Sequence, residues 1–168
     1  MNPKIRNERS TDIDAIDAVT TAAFLTARHT AHTEQFIVKA LRKAGKLTIS
    51  LVAELGADVV GHVAISPVTI SGAFLGWYGL GPISVAPAHQ GRGIGSLLVL
   101  DALRALRERQ AGGCVVLGEP AYYGRFGFRT EPGLVLPDVP PEYFQALAFA
   151  EAMPSGVVSY DESFNARA

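Results

Sequence analysis

Between Asp12 and Phe24, apolar residues recur at Ile13, Ile16, Val19 and Ala23, the spacing of one helix face. Ser10 or Thr11 can cap this helix, and Asp12 and Asp14 suit the positive end of its dipole. "IRNER" before it reads as a first strand. The polar stretch "TARHTAHT" predicts a loop, and a second helix follows from about Glu34 to Ala44, ended by Gly45. The period then changes. "LTISLVAELGADVVGHVAISPVTI" holds two β-rich runs around "LGAD", a hairpin with its turn near Gly56 to Asp58. Pro67 in the second run predicts a bulge or an irregular edge. A third run, "WYGLGPISV", leads through a glycine-rich loop into a long helix from Ile94 to Gln110 and then the strand "GCVVLG". A short helix at "PAYYGRF", a strand at "GFRT", a helix near "PPEYFQALAF" and a strand at "GVVSY" complete the reading. Antiparallel strands precede a strand–helix–strand unit that should form a right-handed parallel crossover. The expected class is α+β with one mixed sheet flanked by helices, residues 131–168 completing that sheet.

Composition narrows the function classes. The 168 residues are 48% hydrophobic and 18% charged, the balance of a globular chain long enough for a real core, and no repeat or linker divides it. A single domain over 1–168 is expected. Fifteen Lys and Arg against 16 Asp and Glu give a formal charge of −1, which offers no electrostatic case for nucleic acid or an anionic membrane as partner. The N-terminal stretch lacks the apolar core of a signal peptide, and no run approaches the roughly 20 apolar residues of a membrane span. A cytoplasmic location is expected. Cys114 stands alone, so no internal disulfide forms, and its apolar run marks it as a buried small hydrophobe rather than a nucleophile.

The loop "APAHQGRGIGSLL" places Gly91, Gly93 and Gly95 just before the long helix. At about 100° per residue, Ile94, Leu98, Val99, Ala102, Leu103, Ala105 and Leu106 share one half of that helix, with Ser96, Asp101, Arg104, Arg107 and Glu108 on the other. The loop is therefore the N-terminus of an amphipathic helix, whose first N–H groups lack intrahelical partners. Glycines there let an anion approach the backbone, and Arg92 can add a charged donor. A plain tight turn is the alternative. Neither the P-loop pattern nor G-x-G-x-x-G is present, since position 96 is Ser.

The stretch "GPISVAPAHQGRGIGSLLV" resembles the acyl-CoA-binding motif of the GNAT superfamily of N-acetyltransferases, Gln/Arg-x-x-Gly-x-Gly/Ala, with Gln90, Gly93 and Gly95 filling the pattern. "IRNERSTDIDAIDAVTTAAF" is similar to the family's opening strand and helix, and "AYYGRFGFR" to its closing element, a tyrosine shortly before Gly-Phe. The likeness covers about residues 3 to 130 and weakens beyond. It implies that main-chain N–H groups across Gln90, Gly91, Arg92, Gly93, Ile94, Gly95 and Ser96 hold the pyrophosphate of coenzyme A. It also implies that the main chain of Ile83 and Val85 lines a splay between two parallel strands where pantetheine lies. Gly79, Gly81 and Pro82 fit a bulge that opens this splay. By the same resemblance acetyl-CoA is the co-substrate and Tyr123 is the acid for the departing thiolate. The thioester carbonyl needs a donor where negative charge develops, and Ile83 N–H is the candidate, since Pro82 has none to offer. Tyr122, adjacent, should point elsewhere.

The remaining candidates are weaker. Glu119 follows the second splay strand and is a possible base, although Glu119-Pro120 also reads as a helix cap. Glu54 and His62 flank the hairpin at the phosphate end of the motif strand, away from the acetyl group. His29 and His32 form H-x-x-H without an evident third ligand, so no metal is expected. His89 reads as a solvated loop residue. By the resemblance, Leu25 to Thr33 cover the acceptor site, with Glu34 and Phe36 close by. Glu34 can bind a cationic amine or stand as an ordinary exposed helix carboxylate. The reading is direct acetyl transfer to a primary amine, small molecule or peptide, in a ternary complex. A non-catalytic acyl-CoA-binding or interaction module is the alternative. A homodimer through "GVVSY" is possible.

Overall fold

A computed structural model describes residues 2–27 and 30–168. Strand β1 (Lys4–Asn7) leads into helix α1 (Ile13–Leu25) and helix α2 (Glu34–Lys43). Strands β2 (Ile49–Leu55), β3 (Asp58–Pro67), β4 (Thr69–Ile70) and β5 (Trp77–Val85) follow, then helix α3 (Ile94–Glu108) and strand β6 (Gly113–Leu117). The short helix α4 (Pro120–Tyr123) and strands β7 (Leu134–Val135), β8 (Phe144–Ala148) and β9 (Gly156–Ser159) complete the order. The main sheet runs β1-β2-β3-β5-β6-β8, antiparallel throughout except for the parallel pair β5–β6. Helix α3 forms the crossover between that pair, as the strand–helix–strand pattern required.

One core lies between the sheet and α3, where Ile94, Leu98, Val99, Ala102, Leu103 and Leu106 meet Val63, Ile65, Leu80 and Val116. These α3 residues are six of the seven that the periodicity assigned to this face; the seventh, Ala105, packs against them partly buried. On the other side of the sheet, Ile16 of α1 and Val38 of α2 pack on Val52. The β2–β3 hairpin turns over two residues, Gly56 and Ala57, with Gly56 at φ +64°.

Four expectations are corrected. "GFRT" forms no strand, only a single bridge between Arg129 and Ala146. "PPEYFQALAF" is not a helix: a 3-10 turn at Pro141–Tyr143 runs into β8, which pairs antiparallel along the outer edge of β6. An unpaired edge beside a buried strand outweighs the helix propensity of Gln, Ala and Leu. "GVVSY" does not complete the main sheet. As β9 it is the middle strand of a second, three-stranded sheet, β4-β9-β7, with both edges already paired, so it is not an open edge for a second copy. The helix cap differs too. Asp12, not Ser10 or Thr11, precedes α1, and its buried carboxylate accepts from Arg9 N–H and from Arg6 at 2.7 Å.

Candidate functional site

The site begins where β5 and β6 part. They are in register from Trp77–Gly113 to Leu80–Val116. Beyond that point β5 stays with β3, while Leu117 of β6 pairs only with Phe144 of β8. Two devices hold the strands apart. On β5 an extra residue is accommodated between Leu80 and Ile83 opposite β3, at Gly81 and Pro82, with Gly81 at φ +134°. On the far side, Gly118 N–H donates to the Tyr143 carbonyl at 2.9 Å and the Gln145 side-chain amide donates to the Gly118 carbonyl at 3.1 Å. These bonds draw the end of β6 outward. Gly79, read as part of the bulge, lies instead within the paired segment. A Cβ there would clash with the ring of Tyr160, so this glycine makes room for that tyrosine.

The register also fixes where the β5 main chain points. Ala86 N–H donates to the Val60 carbonyl at 2.8 Å, so Gly61 and Val85 form a non-hydrogen-bonded pair. Alternation makes Ser84–His62 the bonded pair and Ile83–Val63 the next non-bonded one. The N–H and C=O groups of Ile83 and Val85 therefore turn away from β3, toward the gap. One of them is engaged: the Gln90 side-chain amide donates to the Val85 carbonyl at 2.9 Å.

Two cavities border this edge. One, of about 350 Å³, is lined by Val85, the glycine loop from His89 to Ser96 without Arg92, and Tyr122 and Arg125. Gly91 and Gly93 have φ of +78° and +82°, and no atom lies within 4 Å of where a Cβ would stand on either. The chain thus presents bare backbone at the N-terminus of α3, and Gly93 is its N-cap. The Ile94 side chain is buried in the core, so only its N–H is available to the loop. Arg92 is exposed and does not line the cavity, whereas Arg125 stacks over the Tyr122 ring at 4.6 Å and donates to Ser96 Oγ at 3.1 Å. Tyr122 points elsewhere than Tyr123: its hydroxyl lies 3.3 Å from Ser96 Oγ, at this cavity. His89, read as solvated, is half-buried against the same cavity, and its Nδ1 is buried without a partner among the described residues.

The second cavity, of about 380 Å³, lies at the opening of the gap. Gly81, Pro82, Ile83, Leu117 and Tyr123 line it from the strands and α4. Phe24, Glu34 and Ile37 close it from α1 and α2, and Leu136, Tyr160 and Phe164 from the C-terminal segment. Tyr123 is wrapped by aromatic rings: Tyr122 at 5.0 Å and Phe128 at 5.9 Å between centroids, both edge-on. Gly118 is bare because a Cβ there would meet the Tyr123 ring at 2.5 Å. Burial, and then the neighbouring Tyr122 and Cys114, push its phenol up to about 12.

Glu119 is not brought to this cavity. It occupies the cap position of α4, where its carbonyl, not its carboxylate, accepts from Tyr123 N–H at 3.0 Å, and its side chain is exposed. Glu54 is committed to Arg6 at 2.7 Å. His62 is buried, with Nε2 2.8 Å from Ser50 Oγ. Cys114 is fully buried, and burial raises its thiol far above the usual range. His29 lies outside the described residues, and no cluster able to hold a metal is found among those described. No helix among them is long and apolar enough to cross a membrane.

An opened parallel strand pair with a glycine loop at the neighbouring helix N-terminus is a site for an extended ligand with an anionic head, and comparison with known proteins gives it a class. A family model described as the acetyltransferase (GNAT) domain matches residues 46–130. The chain is 38% identical over 125 residues to an uncharacterized N-acetyltransferase, YhbS of Escherichia coli (strain K12), across 74% of this chain and 72% of that one. A GNAT family acetyltransferase from Brucella melitensis, solved in complex with acetyl-CoA, superposes with a TM-score of 0.87 at 49% identity, covering 96% of this chain and 97% of its own. The crystal structure of YhbS from Escherichia coli in complex with CoA gives 0.90 at 34% identity, over 98% and 93%. The chain belongs to the GNAT family of acetyltransferases.

Proposed function

We propose that the chain, acting as one domain, takes an acetyl group from acetyl-CoA and passes it directly to a primary amine bound beside it. The observation that carries this reading is the β5 edge, whose main-chain groups at Ile83 and Val85 turn away from β3, Ile83 at one cavity and Val85 at the other. The residues present fit the donor. Open glycines at 91 and 93, the Nδ1 of His89 that has no partner among the described residues, and the cation of Arg125 suit a pyrophosphate at the helix N-terminus. The gap suits an extended amide-bearing arm, which can bond to β5 as an added strand would.

Acetyl-CoA supplies an activated acyl carbon and a thiolate that leaves readily. The chain's own residues supply the rest. Ile83 N–H, turned to the gap, is the donor at the acyl oxygen. Tyr123, protonated at neutral pH, is the acid: as the neutral amine nitrogen bonds the acyl carbon and the C–S bond breaks, its phenol gives a proton to the thiolate, and the proton lost by the nitrogen restores the phenol. The apolar walls exclude water that would hydrolyse the thioester. With Glu119 away from the cavity, no carboxylate of the strands or α4 lines it.

The first test is binding. Calorimetry should show one coenzyme A per chain, and Gly93→Val should weaken it at least ~10-fold. A side chain there would stand in the cradle, and a non-glycine residue in the left-handed region costs roughly 1–2 kcal/mol. A folded Gly93→Val protein with wild-type affinity would remove the loop from the binding site.

A further inference from the structure

We infer that the acceptor is a compact amine with an apolar body and no acidic group, and that Glu34 is the carboxylate that receives its positive charge. This rests on the acetyltransferase reading above and names the acceptor class of that same site.

Among the described residues lining the cavity at the opening of the gap, Glu34 is the only charged one. The rest of the wall is Phe24, Ile37, Leu136, Phe164 and their aliphatic neighbours, with two tyrosines. Glu34 is the first residue of α2 and is half-buried. A carboxylate offers about four lone-pair sites and needs most of them satisfied when withdrawn from water. Here the Thr30 hydroxyl stands 2.7 Å from both oxygens, and the His32 N–H donates to Thr30 Oγ1 at 3.0 Å. Thr30 has one proton to give. It orients the carboxylate but leaves acceptor capacity and a full negative charge facing the cavity. No Lys or Arg among the described residues pairs with it.

The chemistry of the wall selects the ligand. A protonated amine gains a charge-assisted bond at Glu34. An aromatic or aliphatic body gains burial against the phenylalanines and Leu136. A carboxylate on the acceptor, as in a free amino acid, would be desolvated beside a like charge with no cation in the described lining to receive it. A polycation would place its further charges against apolar walls. Size agrees, since about 380 Å³ must also admit the acetyl group and so leaves room for a small body only.

The test uses the full chain with acetyl-CoA and a matched pair of acceptors, 2-phenylethylamine and L-phenylalanine, which share a body and differ by one carboxylate. Thiol release should show kcat/KM at least ~10-fold higher for 2-phenylethylamine. Glu34→Gln should raise KM for 2-phenylethylamine at least ~10-fold with a smaller change in kcat, and Glu34→Asp should recover part of the loss. Coenzyme A affinity, measured by calorimetry, should be the same in all three proteins, which separates a lost acceptor contact from a disturbed fold. The assignment is overturned if L-phenylalanine is the better acceptor, if Glu34→Gln leaves KM unchanged, or if acetyl-CoA binds but neither amine is acetylated. Absence of acetyl-CoA binding by the wild-type protein would overturn the underlying reading, and this assignment with it.

Discussion

Tyr123 and Tyr122 are adjacent, yet they serve different cavities. Tyr123 lines the cavity at the gap, and Tyr122 the one at the glycine loop. In the proposed reaction their removal should separate two measurable quantities. Tyr123→Phe should lower turnover roughly 10- to 1,000-fold, the span for losing one acid, while calorimetric affinity for coenzyme A stays as in wild type. Equal turnover where chemistry limits the rate would exclude Tyr123 as the acid. The Tyr-x-x-x-Gly-Phe spacing makes Tyr123 visible along the chain. Arg125 is not visible in that way. Its contact with Ser96 spans 29 positions and exists only because α4 folds back over the start of α3. Glu34 is half-visible: its place after a polar loop marks it, but only the tertiary fold turns it inward. Glu119 misleads for the converse reason, because a cap and a catalytic base can share a sequence position next to proline.

At the level of elements, the side of the sheet facing α1 and α2 carries a polar seam through an otherwise apolar layer. Arg42 of α2 donates to Glu8 at 2.8 Å, Ser50 of β2 donates to Glu8 at 2.6 Å, and Ser50 meets His62 of β3. Burial lowers His62 to about 4, with the Glu8 charge opposing the shift. The unfolded chain then binds a proton below pH ~6.5 that the folded chain refuses until about 4. Stability should therefore fall as pH drops through that window, by about 3 kcal/mol in all. Urea unfolding at pH 7 and pH 5 should show this, and a folded His62→Gln protein should lose most of the difference. An unchanged pH dependence in the variant would place its origin elsewhere. The strands carrying the seam were readable from two β-rich runs around the Leu55–Asp58 turn. β8 was not, because "FQALA" has helical composition, and its strand form depends on the β6 edge that it covers.

For the molecule as a whole, the family model ends at Thr130, but the core does not. Leu134, Phe144 and Val158 of the C-terminal segment bury themselves with Val68, Trp77 and Val115, and Tyr160 and Phe164 wall the cavity at the opening of the gap. Full burial of each of those first three side chains is worth roughly 1.5–3 kcal/mol, so together they rival the net stability of a small domain. A chain ending at Thr130 should lose its cooperative thermal transition. A truncated protein that still melts in one sharp step would show the segment to be an accessory. Fold class and loop were legible because local pattern dictates them. The tail's topology was not, because it answers to edges and faces made by distant residues. The burial of Cys114 also matters for a catalyst whose reaction liberates a thiol. Its single sulfhydryl is sealed at 0% exposure inside the core, so in the native state it offers the liberated coenzyme A no sulfur with which to form a mixed disulfide, and oxidants that act on accessible thiols find none on the protein.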